Sequence, residues 1–325
     1  MTKNSFKILS ANDVKKALPM KQAIEIMKEA YAQLSLNQVT VPDRTHLDLP
    51  EHNGGVLIMS AHIPKTKRVG LKFISIFNDN PKQGLPVIQA IVVVMDATNG
   101  RPLALLDGSY LTALRTGAGS GAATDLLARK NAQIAAIFGA GVQGRTQLEA
   151  VCAVRSIQEA FVFDINPENA KKFVDDMSEQ LSIPIHVATS NQELKHADII
   201  CTATTALEPV FSDENLKEGA HINAIGSYKP HIREIPEETV LRAKVVVDHR
   251  ESCLLEAGDL IIPLKKGLIN ENHIYAEIGE LVARGEFSRT SQSEITMFKS
   301  VGNAVQDLAA AVIPAQENLG VDVFL

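Results

Sequence analysis

Phe138-Gly139-Ala140-Gly141-Val142-Gln143-Gly144 carries the spacing G-x-G-x-x-G, and its surroundings decide the fold. The apolar run Ile134–Phe138 before it reads as a strand, and Gly144–Val154 after it reads as a helix. Three glycines alone are a weak signal, because a Gly-rich turn arises by chance in a chain with 20 glycines. The flanking strand and helix, with Asp164 twenty residues past Gly144, complete a dinucleotide fingerprint. Gly139 permits the tight turn, Gly141 lets backbone approach a pyrophosphate, and Gly144 allows close helix–strand packing. The free N–H groups and positive dipole end of the helix then face the phosphates.

Asp164 stands at the end of the next strand. A carboxylate there accepts from a ribose 2′-OH and repels a 2′-phosphate. Ile165 and Asn166 follow, with no Arg to hold that phosphate. The preferred cofactor is therefore NAD(H), with NADP(H) as the alternative. The competing role for Asp164 is an Asx cap on the helix opening at Pro167.

Outward from the loop, strand and helix alternate. Ala160–Phe163 reads as a strand and Pro167–Leu181 as a helix. Further strands fit Ile185–Ala188, Asp198–Ala203, His221–Ile225 and Lys244–Val247. Continuous apolar strands alternating with helices predict a parallel sheet covered on both faces. The first third differs. Apolar residues at Ala23, Ile24, Met27, Ala30, Tyr31 and Leu34 mark one face of a helix. Strand-like runs follow at Thr45–Leu49, Gly55–Ala61, Val69–Phe77 and Pro86–Asp96, and Asn99-Gly100 signals a hairpin back into Pro102–Leu106. With no helix between them, these strands predict a largely antiparallel sheet. Ser109–Lys130 and Ser300–Val312 read as small-residue helices, the latter returning to the first domain.

The chain has 325 residues, and at roughly 100–200 residues per domain it implies two. Its 32 basic and 38 acidic residues leave a net charge of −6, which argues against a nucleic-acid partner. Cys152, Cys201 and Cys253 are far apart and odd in number, so neither a disulfide framework nor a zinc site is suggested. Met1–Met20 is polar and lysine-bearing, and the longest apolar run, Ile91–Met95, is far short of the ~18 residues of a membrane span. The expectation is a cytoplasmic protein with no membrane partner. His46, His62, His231 and His249 lack metal-ligand spacing and read as ordinary polar residues, so no metal is expected; His231 alone draws notice, because it follows Tyr228. The chain has no Trp and is rich in small aliphatic residues, which let backbones approach closely.

Three cations stand out. Lys72 lies inside the apolar run Val69–Ile74, where an unpaired ammonium is costly to bury. It either snorkels from an edge strand or serves an anion site. Arg44 precedes a strand. Arg115 lies in Leu111-Thr112-Ala113-Leu114-Arg115-Thr116, followed by three glycines between Gly117 and Gly121. Glycines inside a helix cost stability, so something comes close to that backbone. Arg is suited to bidentate carboxylate binding.

The Leu111–Thr116 run, the Gly139–Gly144 loop and Phe298-Lys299-Ser300-Val301-Gly302-Asn303-Ala304-Val305-Gln306-Asp307 together resemble the ornithine cyclodeaminase/mu-crystallin family across essentially the whole chain. The resemblance implies an α/β fold. A Rossmann NAD(P)-binding domain, residues 113–304, is inserted in an α+β substrate and dimerisation domain, residues 1–112 and 305–325. It implies a homodimer paired through its sheets. Arg44, Lys72 and Arg115 resemble the ligands of the substrate carboxylate. Thr116, Gly139, Ala140, Gly141, Val142, Gln143, Gly144, Asp164 and Ile165 resemble cofactor contacts. So do Ala203 and Thr204, Ile225, Gly226 and Ser227, and Val301 and Gly302.

One segment sets the activity that the resemblance implies. Where ornithine cyclodeaminases and archaeal-type alanine dehydrogenases carry an Asp, this chain has Tyr228, within Gly226-Ser227-Tyr228-Lys229-Pro230. That pattern is more like the cyclic imino-acid reductases. The expectation is an NAD(P)H-dependent enzyme reducing the C=N bond of a small cyclic α-imino acid, Δ1-pyrroline-2-carboxylate to L-proline in type. Ornithine cyclodeaminase, alanine dehydrogenase and a non-catalytic binding protein are the rivals. Lys72, Arg115, Ser227 and Tyr228 are the candidate catalytic residues, with Ser227, Tyr228 or a water as proton donor. Glu234 and Glu237 read as surface or capping residues.

Overall fold

The computed structural model describes residues 5–285 and 289–324. The chain divides into two units, residues 1–115 with 303–325 and residues 116–302.

Unit 1 is built on a seven-stranded sheet. Its strands are β1 (Ser5–Leu9), β2 (Thr45–Leu49), β3 (Gly54–Ile63), β4 (Arg68–Phe77), β5 (Ile88–Asp96), β6 (Pro102–Asp107) and β15 (Val321–Phe324), in the order β15-β1-β6-β5-β4-β3-β2. Every pairing is antiparallel except β1 with β6. The β5–β6 hairpin turns at Asn99-Gly100, where Gly100 takes φ +75°. Three helices belong to this unit: α1 (Ala11–Ala17), α2 (Met20–Ser35) and α10 (Ala304–Gln316). The predicted apolar face of α2, from Ala23 to Leu34, is the buried one. The central strands lie under α10. A Cβ on Gly70 of β4 would sit 2.8 Å from Leu308 Cδ1, so the small residue lets the helix lie close to the sheet.

Two elements go beyond the sequence reading here, and one expectation needs correction. Ser5–Leu9 and Ala11–Ala17 form β1 and α1, although the first twenty residues show little apolar patterning. A strand needs only alternate residues buried, and in β1 only Leu9 is deeply so. The helix expected from Ser300 starts at Ala304, because Thr296–Lys299 is a strand, Gly302 takes φ +81°, and Asn303 caps the helix through its side chain.

The helix α3 (Gly108–Leu127) carries the division between the units, at Arg115 and Thr116. Unit 2 is a parallel eight-stranded sheet. Its strands are β7 (Ile134–Phe138), β8 (Glu159–Phe163), β9 (Ile185–Val187), β10 (Ile199–Thr202), β11 (His221–Ala224), β12 (Lys244–Val247), β13 (Ile274–Glu277) and β14 (Thr296–Lys299). The order is β13-β12-β14-β11-β10-β7-β8-β9. Its helices are α4 (Val142–Val154), α5 (Pro167–Leu181), α6 (Glu237–Arg242), α7 (Arg250–Glu256), α8 (Gly258–Lys265) and α9 (Ile278–Arg284). Alternate residues of the strands feed two separate cores. Ala136, Phe138, Ile200 and Ile222 join one, and Ala135, Ile137, Ile199 and Val162 the other. Burying each large aliphatic side chain contributes about 1.5–3 kcal/mol.

Candidate active site

The strand order of unit 2 reverses at β7. The chain runs β7-β8-β9 to one side, then returns to place β10 on the other. Ligands of doubly wound sheets bind at the carboxyl ends of the strands at this reversal. The glycine loop follows β7 there. Gly139 takes φ +97°, and a Cβ on it would sit 2.5 Å from the carbonyl oxygen of Ala203 at the end of β10. A Cβ on Gly144 would collide with the carbonyl oxygen of Gly139, so α4 can start this close to β7 only with glycine. At Gly141, the N-cap of α4, a Cβ would meet nothing within 4 Å. That open space before a helix N-terminus suits a pyrophosphate, so the residues present fit a dinucleotide.

Asp164 closes the other side of the loop. Its Oδ2 accepts from Ala140 N at 2.7 Å and its Oδ1 from Asn166 N at 2.8 Å. The cap on α5 is Asn166, whose Oδ1 accepts from Glu168 N and Asn169 N. Asp164 is thus not that cap, and each of its oxygens keeps a lone pair for a further donor. Val142 and Ile165 are exposed beside it, Ile165 completely. Gln143 is half-buried in the same loop, and Thr116 is half-buried on α3.

Two buried carboxylates tie down the strand ends beyond β7. Glu234 corrects the surface reading: it is 0% exposed. Its Oε1 accepts from Thr204 N and Thr204 Oγ1, both at 2.7 Å. Its Oε2 accepts from Thr202 Oγ1 at 2.9 Å, Gly226 N at 2.7 Å and Ser227 N at 3.1 Å. Burial and the nearby Asp259 push its pKa up. Asp248, at the end of β12, accepts from Ser300 Oγ at 2.7 Å, Val301 N at 3.1 Å and Gly302 N at 2.8 Å. The predicted segments Ala203-Thr204, Ile225–Ser227 and Val301-Gly302 are therefore each held by a carboxylate or beside one. Ser227 is fully buried and its hydroxyl donates to the Ile232 carbonyl at 2.8 Å. Tyr228 is half-buried, and burial pushes its phenol pKa up. Glu237, which opens α6, takes Arg233 and Lys266 as partners, and His231 is exposed.

Unit 1 gathers the predicted cations. Lys72 of β4 points under α10 and is 2% exposed. It does not snorkel from an edge, because β4 is paired on both sides. Its Nζ lies 2.7 Å from Asp307 Oδ2, and Arg115 Nε lies 3.0 Å from Asp307 Oδ1. Arg115 Nη1 also donates to Gln306 Oε1 at 3.2 Å, and Gln306 Nε2 donates to Tyr31 OH at 2.7 Å. Two cations on one carboxylate leave a positive charge, and half-buried Arg44 adds its field at Lys72. Desolvation, opposed by Asp307 and aided by Arg115 and Arg44, lowers the Lys72 pKa from 10.5 to about 8. Such a group can bind an anion and also give up a proton near neutral pH.

Asp248, Asp259 and Asp307 carry no assigned role in the sequence, and Glu234 reads there only as a surface or capping residue. For Asp307 a signal existed: an acid in the otherwise uncharged, largely apolar run Ala304–Val312 asks for a partner. For Glu234 none did, since its five donors come from two separate strand ends, those of β10 and β11. Among the described residues, no group of three or more His, Cys, Asp or Glu is placed to hold a metal ion.

The family model for the ornithine cyclodeaminase/mu-crystallin family matches residues 5–318. A Δ1-pyrroline-2-carboxylate reductase of Bacillus cereus is 40% identical over 306 residues, 94% of each chain. The solved Δ1-pyrroline-2-carboxylate reductase of Thermococcus litoralis, in complex with NADH and L-proline, superposes with a TM-score of 0.92 at 44% identity, covering 96% of this chain and 97% of that one. An archaeal alanine dehydrogenase dimer with bound NAD gives a TM-score of 0.91 at 33% identity, covering 98% and 99%. With its glycine loop at the reversal of a parallel sheet and a match over nearly its full length, the chain belongs to the ornithine cyclodeaminase/mu-crystallin family.

Proposed function

We propose that this protein is an NAD(H)-dependent reductase of a cyclic α-imino acid of the Δ1-pyrroline-2-carboxylate type, yielding L-proline. The observation that carries this reading is the buried cation cluster of unit 1, on a chain 40% identical to an enzyme of that name. Arg115, Lys72 and Arg44 hold the substrate carboxylate. Asp307 and Gln306 fix the Arg115 guanidinium, so that binding does not have to order it. Unit 2 holds the dinucleotide. Gly139–Gly144 cradle the pyrophosphate, Asp164 and exposed Ile165 receive the adenosine half, and Thr116, Ala203, Thr204, Ile225–Ser227, Val301 and Gly302 line the rest. A nicotinamide held by these residues would supply the hydride that reduces a C=N bond.

The substrate nitrogen needs a proton. Ser227 has its hydrogen committed to Ile232, and Tyr228 holds its own more tightly than a free phenol does. Lys72, with a pKa of about 8, is matched to the task and serves as the acid.

The open face of the unit 1 sheet supports a homodimer. Phe73 is 43% exposed, and its cross-strand neighbours Ile58 and Ile91 are 37% and 46% exposed. A contiguous apolar sheet face asks for cover, and a second copy of the same sheet provides it. Cys152, Cys201 and Cys253 are free thiols, in keeping with a cytoplasmic setting, and no helix among the described residues is long and apolar enough to cross a membrane.

The test follows NADH oxidation by absorbance with Δ1-pyrroline-2-carboxylate and with pyruvate plus ammonia, and in parallel ammonia release from ornithine with NAD+. Turnover with the cyclic imine far above the others is the expected result. Preference for pyruvate plus ammonia would make the protein an alanine dehydrogenase.

A further inference from the structure

We propose that Glu234 is a positioning residue that shapes the half of the cofactor site lying beyond the glycine loop, and so sets affinity for the nicotinamide end of the dinucleotide. The inference rests on the dinucleotide reading above. A dinucleotide crosses the sheet at the β7 reversal, with one mononucleotide half on each side. Asp164, at the end of β8, marks the adenosine side. The other half must then lie toward the ends of β10 and β11.

Those two ends are what Glu234 holds. It accepts from Thr202 and Thr204 at the end of β10 and from Gly226 and Ser227 at the end of β11. The fit is tight: a Cβ on Gly226 would lie 2.5 Å from Glu234 Oε1 and 2.5 Å from the Thr204 carbonyl oxygen. The carboxylate is itself anchored. Asp259 Oδ1 accepts from Glu234 N at 2.8 Å and Ile235 N at 3.0 Å. Asp259 Oδ2 pairs with Lys299 Nζ at 2.8 Å, with both side chains at 0% exposure. Lys299 Nζ closes the circuit by donating to the Ser227 carbonyl. Burying two acids and a lysine to fasten two loops is an expensive way to obtain stability, since apolar packing of equal volume is often as good. What the arrangement provides is shape, because three of the five donors are backbone N–H groups whose directions the two strand ends fix.

The experiment titrates NADH and ADP separately into the ligand-free protein, by nucleotide fluorescence and calorimetry, for wild type, Glu234→Gln and Thr202→Val. ADP carries the adenosine and pyrophosphate but no nicotinamide. An amide at residue 234 turns an NH2 group on donors that need an acceptor. Glu234→Gln is expected to weaken NADH about ten-fold or more, with ADP changed less than about two-fold. Thr202→Val keeps its shape but loses one donor, and is expected to weaken NADH by a few-fold with ADP unchanged. Equal NADH affinity in wild type and Glu234→Gln overturns the proposal. So does parallel loss of NADH and ADP, which would mark a purely structural residue. Should Glu234→Gln fail to fold, Thr202→Val decides by the same comparison. Failure of the wild type to bind either nucleotide would instead refute the dinucleotide reading, and this inference with it.

Discussion

Lys72 and Asp307 form an ion pair, Nζ to Oδ2 2.7 Å, with side chains 1% and 3% exposed. Asp307 also takes Arg115, so one carboxylate on α10 pairs with and orients cations from β4 and α3. Removing one partner of such a pair costs about 3–5 kcal/mol, because it strands buried charge. Asp307→Asn should lower the melting temperature by several degrees in a calorimetric scan. An unchanged melting point would show that the pair does not hold unit 1 together.

The Lys72 pKa of about 8 fixes the sign of the pH dependence. Imine reduction needs the protonated amine, so kcat/KM should fall about ten-fold per pH unit above that value. Oxidation of the amino acid needs the free amine and should rise up to the same point. Stability follows a related course. The ordinary value is 10.5, so between about pH 8 and 10.5 the unfolded chain keeps a proton that the native chain has released. This group's contribution to stability therefore rises with pH across that window, and the cost of its buried charge is felt in full below it. Lys72→Arg, which stays charged but cannot give up a proton in this range, should lose most of kcat/KM, and its residual rate should lack the alkaline limb near pH 8. A pH–rate profile for both proteins decides.

Arg115→Ala should cut kcat/KM for the imino acid by at least about a hundred-fold if the guanidinium holds the substrate carboxylate as proposed. NADH binding, assigned to unit 2, should stay within about two-fold of wild type. Steady-state kinetics alongside an NADH titration separates the two effects. Unaltered turnover would remove Arg115 from the site.

Asp164→Ser removes the carboxylate that would repel a 2′-phosphate. The ratio of kcat/KM for NADPH over NADH should rise by roughly ten-fold. Some loss with both cofactors is also expected, because Ala140 N loses its acceptor at 2.7 Å. A ratio that does not move counts against a ribose role for Asp164.

Phe73→Asp places a charge at the centre of the open sheet face of unit 1. Light scattering on a sizing column should show the mass halve at micromolar concentration, with the circular dichroism of the chain retained. A wild-type protein that already elutes as a monomer would refute the dimer.

The parts legible in the chain were those whose physics is local. Gly139, Gly141 and Gly144 are read from spacing, because Gly139 makes the turn and Gly144 the close approach within a few residues, and Gly141 opens the helix between them. Six of the eight strands of unit 2 are read from apolar runs, because a parallel sheet is buried on both faces, whereas Ile274–Glu277 and Thr296–Lys299 are too short and polar to stand out. Lys72 and Arg115 attract notice for the same reason: a charge in an apolar run needs a partner. Which partner is another matter. Asp307 lies 235 positions from Lys72 and 192 from Arg115, and only the packing of α10 on the sheet brings the three together. Glu234 shows the limit most sharply. Its neighbours Arg233 and Glu237 are partly solvated and paired with each other, so the local pattern reads as surface. Its burial is decided by β10, β11 and α8 converging on it, and no spacing along the chain encodes the meeting of five donors from separate strand ends. Local sequence specifies turns, helix faces and strands, because those depend on neighbours. Buried charge networks depend on which elements meet, and that is settled only when the sheet and its helices have closed.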